Sequence, residues 1–569
     1  MRKKLIEMFN GKVNGQRAIE VITSIGYLTL LEKGCQERTS LDFSTHSYFN
    51  KQALELSDKV EPRFGCIIKD IIVSGIIEYC KEANLVYTEL KKMDEKELIK
   101  LITIDLFAPE NLSGDELTYV TSLEISDLVL RMFEDKKMKS IMDICSGSGN
   151  FLTMAAEKFT NAELYGIELQ NKVNIISRIR LAILNTKNTI IEENVLKISL
   201  DRKYDLVFSS FPWNMRLTNN LKEDKNPRIN IQNIKLKSDW AFVKKAVNSF
   251  SLNGKAVVLI NEGCLINNID KEYRKEILEK KLLEMVIALP SGTMLGANSN
   301  YSMLVFTEHN TYVKMIDASS SYVNNGKCKT LDVDAVLNII SKKNENYKEV
   351  LLEDIREEGY CLGIERYFQA KINILNPVKL EEVASTFRGY SYNTKKYHEL
   401  EPSKGEYAIL KLSDISNGKI DFDQLKTFNG DSIKLSKYVL KEGDIVCTSR
   451  GPAFKVSLIS HIGELKIVPS ASLMVIRPDN KKINSIYLYL FFNDEIGKMS
   501  IKRIQTGGII LVISKQALDN LKIPLVDKEI QETVSNQYKI LNKKIEETKK
   551  KLETIESKLN GIISDMVCE

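Results

Sequence analysis

Short apolar runs alternate with helical stretches between residues 140 and 306, and this alternation constrains the fold more than any other feature. The six runs are residues 140–145, 163–167, 204–208, 255–260, 283–289 and 302–306. Runs of this length, rich in β-branched residues, are typical of buried strands. Strands that alternate with helices form a parallel sheet with helices on both faces. The sequence therefore predicts a parallel, doubly wound α/β domain.

With 569 residues, the chain is too long for a single hydrophobic core. The texture of the sequence predicts five segments: an N-terminal helical module (1–112), the α/β domain (113–318), a polar connector (319–376), a strand-rich domain punctuated by glycine (377–528) and a coiled C-terminal helix (529–565). In the last segment, apolar residues from Val534 to Ile562 recur in alternating steps of four and three, which is a heptad pattern.

Composition narrows the functional classes. Lys and Arg number 81 against 76 Asp and Glu, so any surface for a polyanion must be local. The nine cysteines form no C-x-x-C pair, which favours reduced thiols and a cytoplasmic protein. The four histidines are not spaced as metal ligands, and no apolar run reaches the roughly 18 residues of a membrane span. We expect no metal and no membrane partner.

The first candidate site is a glycine turn between a predicted strand and a predicted helix. It reads Asp143-Ile-Cys-Ser-Gly147-Ser148-Gly149-Asn-Phe151. Glycines allow close approach of a ligand to the backbone, and helix N-terminal amides point outward. The nicotinamide-type pattern G-x-G-x-x-G is not completed here. The acid at the start of the turn favours a ligand with a positive charge, such as a sulfonium or an amino group.

Glu168 stands nineteen residues after Gly149, at the end of the next predicted strand. An acid in this place is positioned to accept hydrogen bonds from ribose hydroxyls. The plain alternative is a tight turn beside a surface glutamate.

A second candidate site, Ser209-Ser210-Phe211-Pro212-Trp213, follows the run at residues 204–208. Doubly wound folds bind substrates at the carboxyl ends of their strands, and this segment places polar and aromatic side chains there. Taken alone, a Pro-Trp loop is more often packing than catalysis.

With these motifs in order, residues 115–315 resemble S-adenosyl-L-methionine-dependent DNA amino-methyltransferases, close to the modification subunit of type I restriction–modification systems. The family's D-x-x-x-G-S-G-x-F is matched in full by Asp143, Gly147, Ser148, Gly149 and Phe151. The resemblance implies a Rossmann-like fold, S-adenosyl-L-methionine as cofactor and transfer of a methyl group to adenine N6 in DNA.

The resemblance also assigns further cofactor-binding residues. The family's Tyr-x-Thr-Pro segment falls on Tyr119 and Thr121, with Ser122 in place of proline. Its ribose-binding acid falls on Glu168, and its loop toward adenine falls on Asn194.

The catalytic tetrapeptide of the family, Asn-Pro-Pro-aromatic, reads Ser210-Phe211-Pro212-Trp213 here. In the family, a side-chain acceptor and a backbone carbonyl bind the hydrogens of the exocyclic amine, and the aromatic ring stacks on the flipped base. Ser210 keeps an acceptor oxygen, residue 211 keeps its carbonyl, and Trp213 keeps a stacking surface. Positioning then supplies most of the rate, without a metal. Two alternatives stay open: a weak or inactive methyltransferase-like DNA-binding subunit, and a cytosine-N4 methyltransferase.

Residues 377–526 resemble a target recognition domain of type I specificity subunits, through strings such as Phe387-Arg388-Gly389-Tyr390. The resemblance implies a β-rich α+β domain that reads double-stranded DNA, followed by a spacer helix. The candidate DNA contacts are Arg388, Lys411, Arg450, Lys455, Lys502 and Arg503. We expect subunits of a restriction or phage-defence system as further partners. A homodimer through the C-terminal helix would read two half-sites.

Overall fold

The computed structural model of the chain divides into two compact units, Met1–Gln369 and Ala370–Glu569. The structure describes residues 1–35, 41–78, 80–108, 121–213, 215, 228, 239–294, 300–325, 328–368, 374–391, 405–422, 424–429, 432–460, 462, 466–505 and 511–561.

The first unit begins with a group of helices. They are α1 (Arg2–Glu7), α2 (Gly15–Gly34), α3 (His46–Lys59), α4 (Pro62–Ser74), α5 (Cys80–Lys91) and α6 (Glu95–Thr103). The Asn14 side chain caps α2 by accepting a hydrogen bond from the Arg17 amide at 2.9 Å. Residues 18–29 of α2 are buried without interruption, so this helix forms the centre of the group.

A large mixed sheet follows these helices. The strands of this part of the chain are β1 (Ser140–Asp143), β2 (Glu163–Glu168), β3 (Asn188–Glu192), β4 (Tyr204–Ser209), β5 (Phe250–Asn261), β6 (Leu283–Leu289), β7 (Tyr301–Phe306), β8 (Tyr312–Asp317), β9 (Tyr322–Asn325), β10 (Cys328–Leu331) and β11 (Tyr347–Leu351). Among the described residues the sheet has nine strands in the order β11-β8-β6-β7-β5-β4-β1-β2-β3, and β9 pairs with β10 separately.

Helices precede, separate and follow these strands, and their alternation with the strands agrees with the predicted α/β domain. They are α7 (Leu123–Arg131), α8 (Asn150–Lys158), α9 (Asn171–Ile183), α10 (Trp240–Ser249), α11 (Gly263–Ile266), α12 (Lys271–Glu279), α13 (Val333–Lys342), α14 (Leu352–Glu357) and α15 (Glu365–Phe368). Three apolar residues of α9, namely Ile175, Ile176 and Ile179, share a buried cluster with the N-terminal helices. The N-terminal helices and the sheet domain are thus packed together through α9.

The predicted α/β fold is confirmed, but the prediction of a parallel sheet is wrong for one side of it. The strands β3, β2, β1, β4 and β5 pair in parallel, whereas β7 runs antiparallel between β5 and β6. Only residues 290–300 separate β6 from β7, and a parallel return needs a longer crossover. All six predicted runs are strands. The segment predicted as a connector, 319–376, contributes β11 to the sheet.

The strand order reverses at the parallel pair formed by β1 and β4. Asp143 at the end of β1 is paired with Phe208 of β4, and the Ile144 amide donates to the Phe208 carbonyl at 3.1 Å. The loops that leave these two strands therefore start side by side. In doubly wound sheets this crevice is where ligands bind.

The second unit is rich in short strands. They are β12 (Pro377–Lys379), β13 (Ala384–Arg388), β14 (Tyr407–Leu410), β15 (Ile415–Ser416), β16 (Lys419–Ile420), β17 (Thr427–Phe428), β18 (Ile445–Thr448), β19 (Arg450–Gly451), β20 (Val456–Leu458), β21 (Lys466–Pro469), β22 (Leu473–Pro478), β23 (Leu511–Val512) and β24 (Lys522–Pro524). Among the described residues, the largest sheet has the order β13-β22-β18-β20, and a second has the order β17-β14-β21.

Helices of the second unit are α16 (Leu380–Val383), α17 (Ser432–Leu435), α18 (Ser485–Asn493), α19 (Glu495–Ile504), α20 (Lys515–Asp519) and α21 (Lys528–Gly561). The long helix α21 packs at its start on α18, where the rings of Tyr489 and Tyr538 lie 6.0 Å apart. Its later apolar residues, which form the predicted heptad pattern, are exposed.

Two features, a membrane-spanning helix and a cluster of metal ligands, are absent from the described residues. None of the helices that the structure describes is both long and apolar enough to cross a bilayer. Within the same ranges, no three His, Cys, Asp or Glu side chains gather as a metal-ligand set.

Candidate functional site

The glycine turn connects β1 to α8 through two residues in the left-handed backbone region. Gly147 has φ +54° and Gly149 has φ +85°, which glycine adopts without steric cost. A Cβ atom on Gly149 would also lie 2.5 Å from Ser177 Oγ of α9. This position therefore needs glycine for its conformation and for the close contact between the turn and α9.

Asp143 is the buried acid of the turn, with 1% of its surface exposed. Its Oδ1 accepts a hydrogen bond from the Cys145 amide at 3.1 Å, and its Oδ2 has no hydrogen-bond partner among the residues that the structure describes. The pKa of Asp143 is raised to about 8, mainly by burial, with a smaller contribution from the neighbouring Glu168 carboxylate. A cationic ligand beside this oxygen would lower the pKa and restore the charged form.

Glu168, at the end of β2, lies against the same turn. Its Oε2 accepts a hydrogen bond from the Gly147 amide at 3.0 Å, and its Oε1 accepts one from the Gln170 amide at 2.8 Å. Burial raises the pKa of this carboxyl. A carboxylate has about four acceptor positions, so Glu168 retains capacity for ribose hydroxyls while it holds the turn. That ribose contact stays a prediction.

The remaining predicted cofactor residues are placed differently from one another. The Ser148 hydroxyl is buried and has no hydrogen-bond partner within the described part of the chain. Phe151 lies in the core, where the centroid of its ring is 4.2 Å from that of the stacked Phe208 ring. This packing fixes the end of the turn to β4. The Thr121 carbonyl accepts a hydrogen bond from Asn150 Nδ2 at 2.8 Å, whereas Tyr119 lies outside the described residues.

Asn194 begins a short 3-10 turn, Val195–Lys197, after β3. Its side-chain oxygen accepts a hydrogen bond from the Leu196 amide at 3.0 Å, so it caps that turn. The predicted contact with adenine is not tested by this arrangement.

Arg180 of α9 is a residue that the sequence reasoning missed. Its Nη1 donates to the Ser148 carbonyl and to Asn150 Oδ1, both at 2.7 Å. The available indication in the sequence was that this arginine stands directly between two apolar residues, Ile179 and Leu181.

The second loop follows β4 and contains the predicted catalytic tetrapeptide. Ser210 is partly buried and Pro212 is exposed. Phe211 is 1% exposed, and its ring stacks on Phe242 with centroids 4.6 Å apart and planes within 7°. The side chain at position 211 thus fills the core, while only its backbone is available to a substrate.

Trp213 is partly buried and has partners in its own domain. Its indole Nε1 donates to the Leu259 carbonyl of β5 at 3.3 Å, and its ring lies 5.7 Å from that of Tyr301. The predicted stacking on a base therefore stays a prediction that must use the remaining surface of the ring.

Asp205, the second residue of β4, lies at the opposite end of that strand from the tetrapeptide. Its Oδ2 accepts hydrogen bonds from the amides of Lys139 and Ser140, at 2.7 and 3.0 Å. This acid joins β4 to β1 and does not face the two loops.

In the second unit, several predicted DNA contacts surround the turn at residues 470–472. Arg388 Nε donates to the Ala471 carbonyl at 2.8 Å, and the Arg450 amide donates to the Ser472 carbonyl at 3.1 Å. The Ser470 amide donates to the carbonyl of Leu410, the residue before Lys411. Strand pairing thus brings together three chain segments that are distant in sequence.

Lys455 has a structural role in the same region. Its Nζ donates to the carbonyls of Leu412 and Ile415, at 3.2 and 2.6 Å, so the ammonium stabilises that loop. Lys502 and Arg503 lie in the last turn of α19, the former exposed and the latter partly buried.

Comparison with known families gives two matches along the chain. The model of the N-6 DNA Methylase family matches residues 103–373. The model described as Type I restriction modification DNA specificity domain matches residues 375–557. The matches confirm both resemblances, and they meet close to the boundary between the two compact units.

Known relatives divide in the same way. The Type I restriction enzyme MjaVIII methylase subunit of Methanocaldococcus jannaschii is 24% identical over 333 residues, covering 52% of this chain and 56% of the relative. The MjaVIII specificity subunit of the same organism is 27% identical over 193 residues, covering 33% of this chain and 44% of the relative. The chain spans about half the length of each.

Among solved structures, a type I restriction-modification system methyltransferase subunit from Streptococcus thermophilus is similar. It is 17% identical with a TM-score of 0.46, and the match covers 63% of this chain and 85% of that one.

The raised pKa of Asp143 predicts how stability depends on pH. Between pH 4 and 8 the folded protein keeps this carboxyl protonated while the unfolded chain ionises it, so stability falls as pH rises through this window. Asp143→Asn does not titrate. We expect the free energy of unfolding of this variant, relative to that of the wild type, to increase by about 1 kcal/mol per pH unit from pH 5 to 8. Urea unfolding at three pH values measures this, and a constant difference would contradict it.

Proposed function

Because the chain carries an N-6 DNA methylase domain followed by a type I DNA specificity domain, we propose that it is a sequence-specific DNA methyltransferase. It transfers a methyl group from S-adenosyl-L-methionine to adenine N6 and acts as the modification and recognition arm of a restriction–modification or phage-defence system. One observation carries the proposal: the buried Asp143 Oδ2, which has no hydrogen-bond partner among the described residues, lies at the start of a glycine turn beside the Ser210 loop.

The residues of the turn suit this cofactor. S-adenosyl-L-methionine supplies an electrophilic methyl group on a sulfonium, together with an amino group and a ribose. The Asp143 carboxyl matches the positive charge, and its unpaired oxygen leaves an acceptor for it. Glu168 matches the ribose hydroxyls, since its carboxylate retains acceptor positions. The left-handed glycines keep side chains out of the space beside the turn.

The second loop suits the amine that receives the methyl group. Ser210 Oγ and the Phe211 carbonyl accept the two hydrogens of the exocyclic amine, so that its lone pair localises on nitrogen. The Trp213 ring stacks on the extruded base. Holding the reactants in line lowers the barrier, and the buried surroundings of the turn exclude water.

A second candidate is a methyltransferase-like DNA-binding subunit with weak or no activity. One contact favours it, since the Trp213 indole N–H already donates to the Leu259 carbonyl of β5. Cytosine-N4 methylation is a further alternative, and mass analysis of the modified nucleoside separates it from adenine N6 methylation.

Methyl transfer by the whole chain tests the activity. We expect the wild type to incorporate labelled methyl groups into unmodified genomic DNA, and Ser210→Asn to be at least as active, because its amide oxygen reaches further. Ser210→Ala should lower kcat roughly tenfold through loss of the acceptor, with unchanged cofactor affinity. Calorimetry with S-adenosylhomocysteine reports that affinity. A wild type that binds cofactor without incorporation would favour the second candidate.

Phe211→Pro is unsuitable for restoring the family tetrapeptide. The substitution would remove the ring that stacks on Phe242 and leave a cavity in the core. Loss of a buried aromatic ring costs about 3–5 kcal/mol, so this variant should unfold rather than gain activity. The single change at Ser210 avoids that cost.

For the second unit, we propose that the arginines around the 470–472 turn contact DNA. Arg388→Ala and Arg450→Ala should each weaken binding of a specific duplex by about 1–3 kcal/mol where they read a base. Lys455→Ala should lower thermal stability and leave the salt dependence of binding unchanged, because its ammonium bonds to two carbonyls. The exposed Lys481 provides a control substitution. Equal affinities for the arginine variants and this control would contradict the assignment.

The exposed apolar residues of α21 support a homodimer. Leu552 and Ile555 are 55% and 62% exposed, and Leu541, Ile545 and Leu559 continue the same heptad pattern. A long exposed apolar stripe on a helix is typical of a coiled-coil surface. Sedimentation velocity should show a dimer for the wild type and a monomer for Leu552→Lys with Ile555→Lys. A monomeric wild type would leave the stripe to another subunit of the system.

Since genomic DNA is the substrate, we propose a cytoplasmic location.

A further inference from the structure

Arg180 is a fully buried arginine behind the glycine turn, with 1% of its surface exposed. Its Nη1 donates to the Ser148 carbonyl and to Asn150 Oδ1, and its Nε donates to the Thr103 carbonyl at 3.1 Å. Nη2 also donates to the Thr103 carbonyl. The guanidinium lies 3.9 Å from the centre of the Phe107 ring. The acceptors in these bonds are all uncharged.

Burying this cation is costly, because no carboxylate bonds to it within the described part of the chain. Burial lowers the pKa of Arg180 to about 9, which reflects the loss of hydration. An apolar side chain of similar size would pack between α9 and its neighbours at a lower cost in free energy. The hydrogen bonds of Arg180 therefore do something that packing alone does not require.

Those bonds join three segments of the first unit, namely α9, the end of α6 and the glycine turn. Thr103 is the last residue of α6, and Phe107 ends the 3-10 turn that follows it, Asp105–Phe107. Ser148 and Asn150 belong to the glycine turn. Asn150 passes the connection on, because its Nδ2 donates to the Thr121 carbonyl at 2.8 Å.

The peptide between Ser148 and Gly149 is held from both sides. Its carbonyl accepts from Arg180, and its N–H donates to the Ser146 carbonyl at 2.9 Å. Peptide groups are planar, so fixing both polar atoms fixes the orientation of the group. Two residues before Gly149, the Gly147 amide donates to Glu168 Oε2. The shape of the turn thus depends on Arg180 from the rear and on Glu168 from the side.

We propose that Arg180 is a positioning residue for cofactor binding, which fixes the glycine turn in its binding shape and makes the end of α6 part of the cofactor site. This inference rests on the proposed function. It gives the N-terminal helices a role in cofactor affinity, through the Thr103 carbonyl, in addition to their packing on α9.

The chain contains a matched control for the loss of a buried guanidinium. Arg274 of α12 is also 1% exposed, and it donates to the carbonyls of Tyr360, Cys264 and Asn267, each at 2.7 Å. Arg274→Lys removes a network of the same kind that has no described bond to the glycine turn. Lysine keeps the charge in both variants, but one ammonium cannot reproduce the fork of a guanidinium.

The experiment compares Arg180→Lys and Arg274→Lys in the full chain. We expect both to lower the melting temperature to a similar extent. Only Arg180→Lys should raise the Kd for S-adenosylhomocysteine and the KM for S-adenosyl-L-methionine, by tenfold or more. Its kcat at saturating cofactor and its KM for DNA should stay near those of the wild type. An arginine with only a structural role would lower the melting temperature without this selective rise in the cofactor Kd and KM.

Asn150→Ala gives an independent reading, because it removes one acceptor of Arg180 and the link to Thr121. It should raise the cofactor Kd, and its effect should not add to that of Arg180→Lys, since both break one network. If Arg180→Lys does not fold, this variant alone decides, and an unchanged Kd overturns the inference. Equal cofactor Kd values for Arg180→Lys and Arg274→Lys also overturn it. A wild type that binds no S-adenosylhomocysteine instead refutes the proposed function, and the inference falls with it.

Discussion

The parallel pairing of β1 with β4 is the constraint on which the candidate site depends. It aligns Asp143 with Phe208, so the glycine turn and the tetrapeptide loop leave the sheet from neighbouring positions. These loops are more than sixty residues apart in sequence, and neither forms a site alone. The strands β2 and β3, which follow β1 along the chain, lie on one side of this pair, and β5, which follows β4, lies on the other. The two loops therefore turn away from each other, which leaves a crevice between them.

Two buried titratable side chains beside this crevice show that the structure gives up stability there. Burial raises the pKa of the Asp143 carboxyl to about 8, and the Arg180 guanidinium is buried against neutral carbonyls. Both groups would be cheaper as apolar residues in a domain selected only to fold. Their positions, on either side of one turn, agree with a site organised before its ligand arrives. Strain and unpaired polar atoms concentrate where function requires them.

The departure of the tetrapeptide from its family has a packing explanation at one position and none at another. Phe211 contributes a ring to the core, so its replacement of proline follows from its contact with Phe242. Nothing in the structure explains Ser210 in place of asparagine. The distinction matters for the alternative functions, because a substitution that serves packing says nothing about lost activity. Within the tetrapeptide, the Ser210 hydroxyl is therefore the departure from the family that bears on catalytic activity.

The sequence by itself determined the six predicted strands, the glycine turn and the change from an α/β to a strand-rich part of the chain, because these depend on local patterns of apolar residues, glycines and turns. It also placed Asp143 and Glu168 correctly at the ends of neighbouring strands. Tertiary structure alone decided that β7 runs antiparallel, that Lys455 holds a loop and that Arg180 supports the turn. Each of these is set by contacts between residues far apart in the chain, whose partners no local pattern specifies.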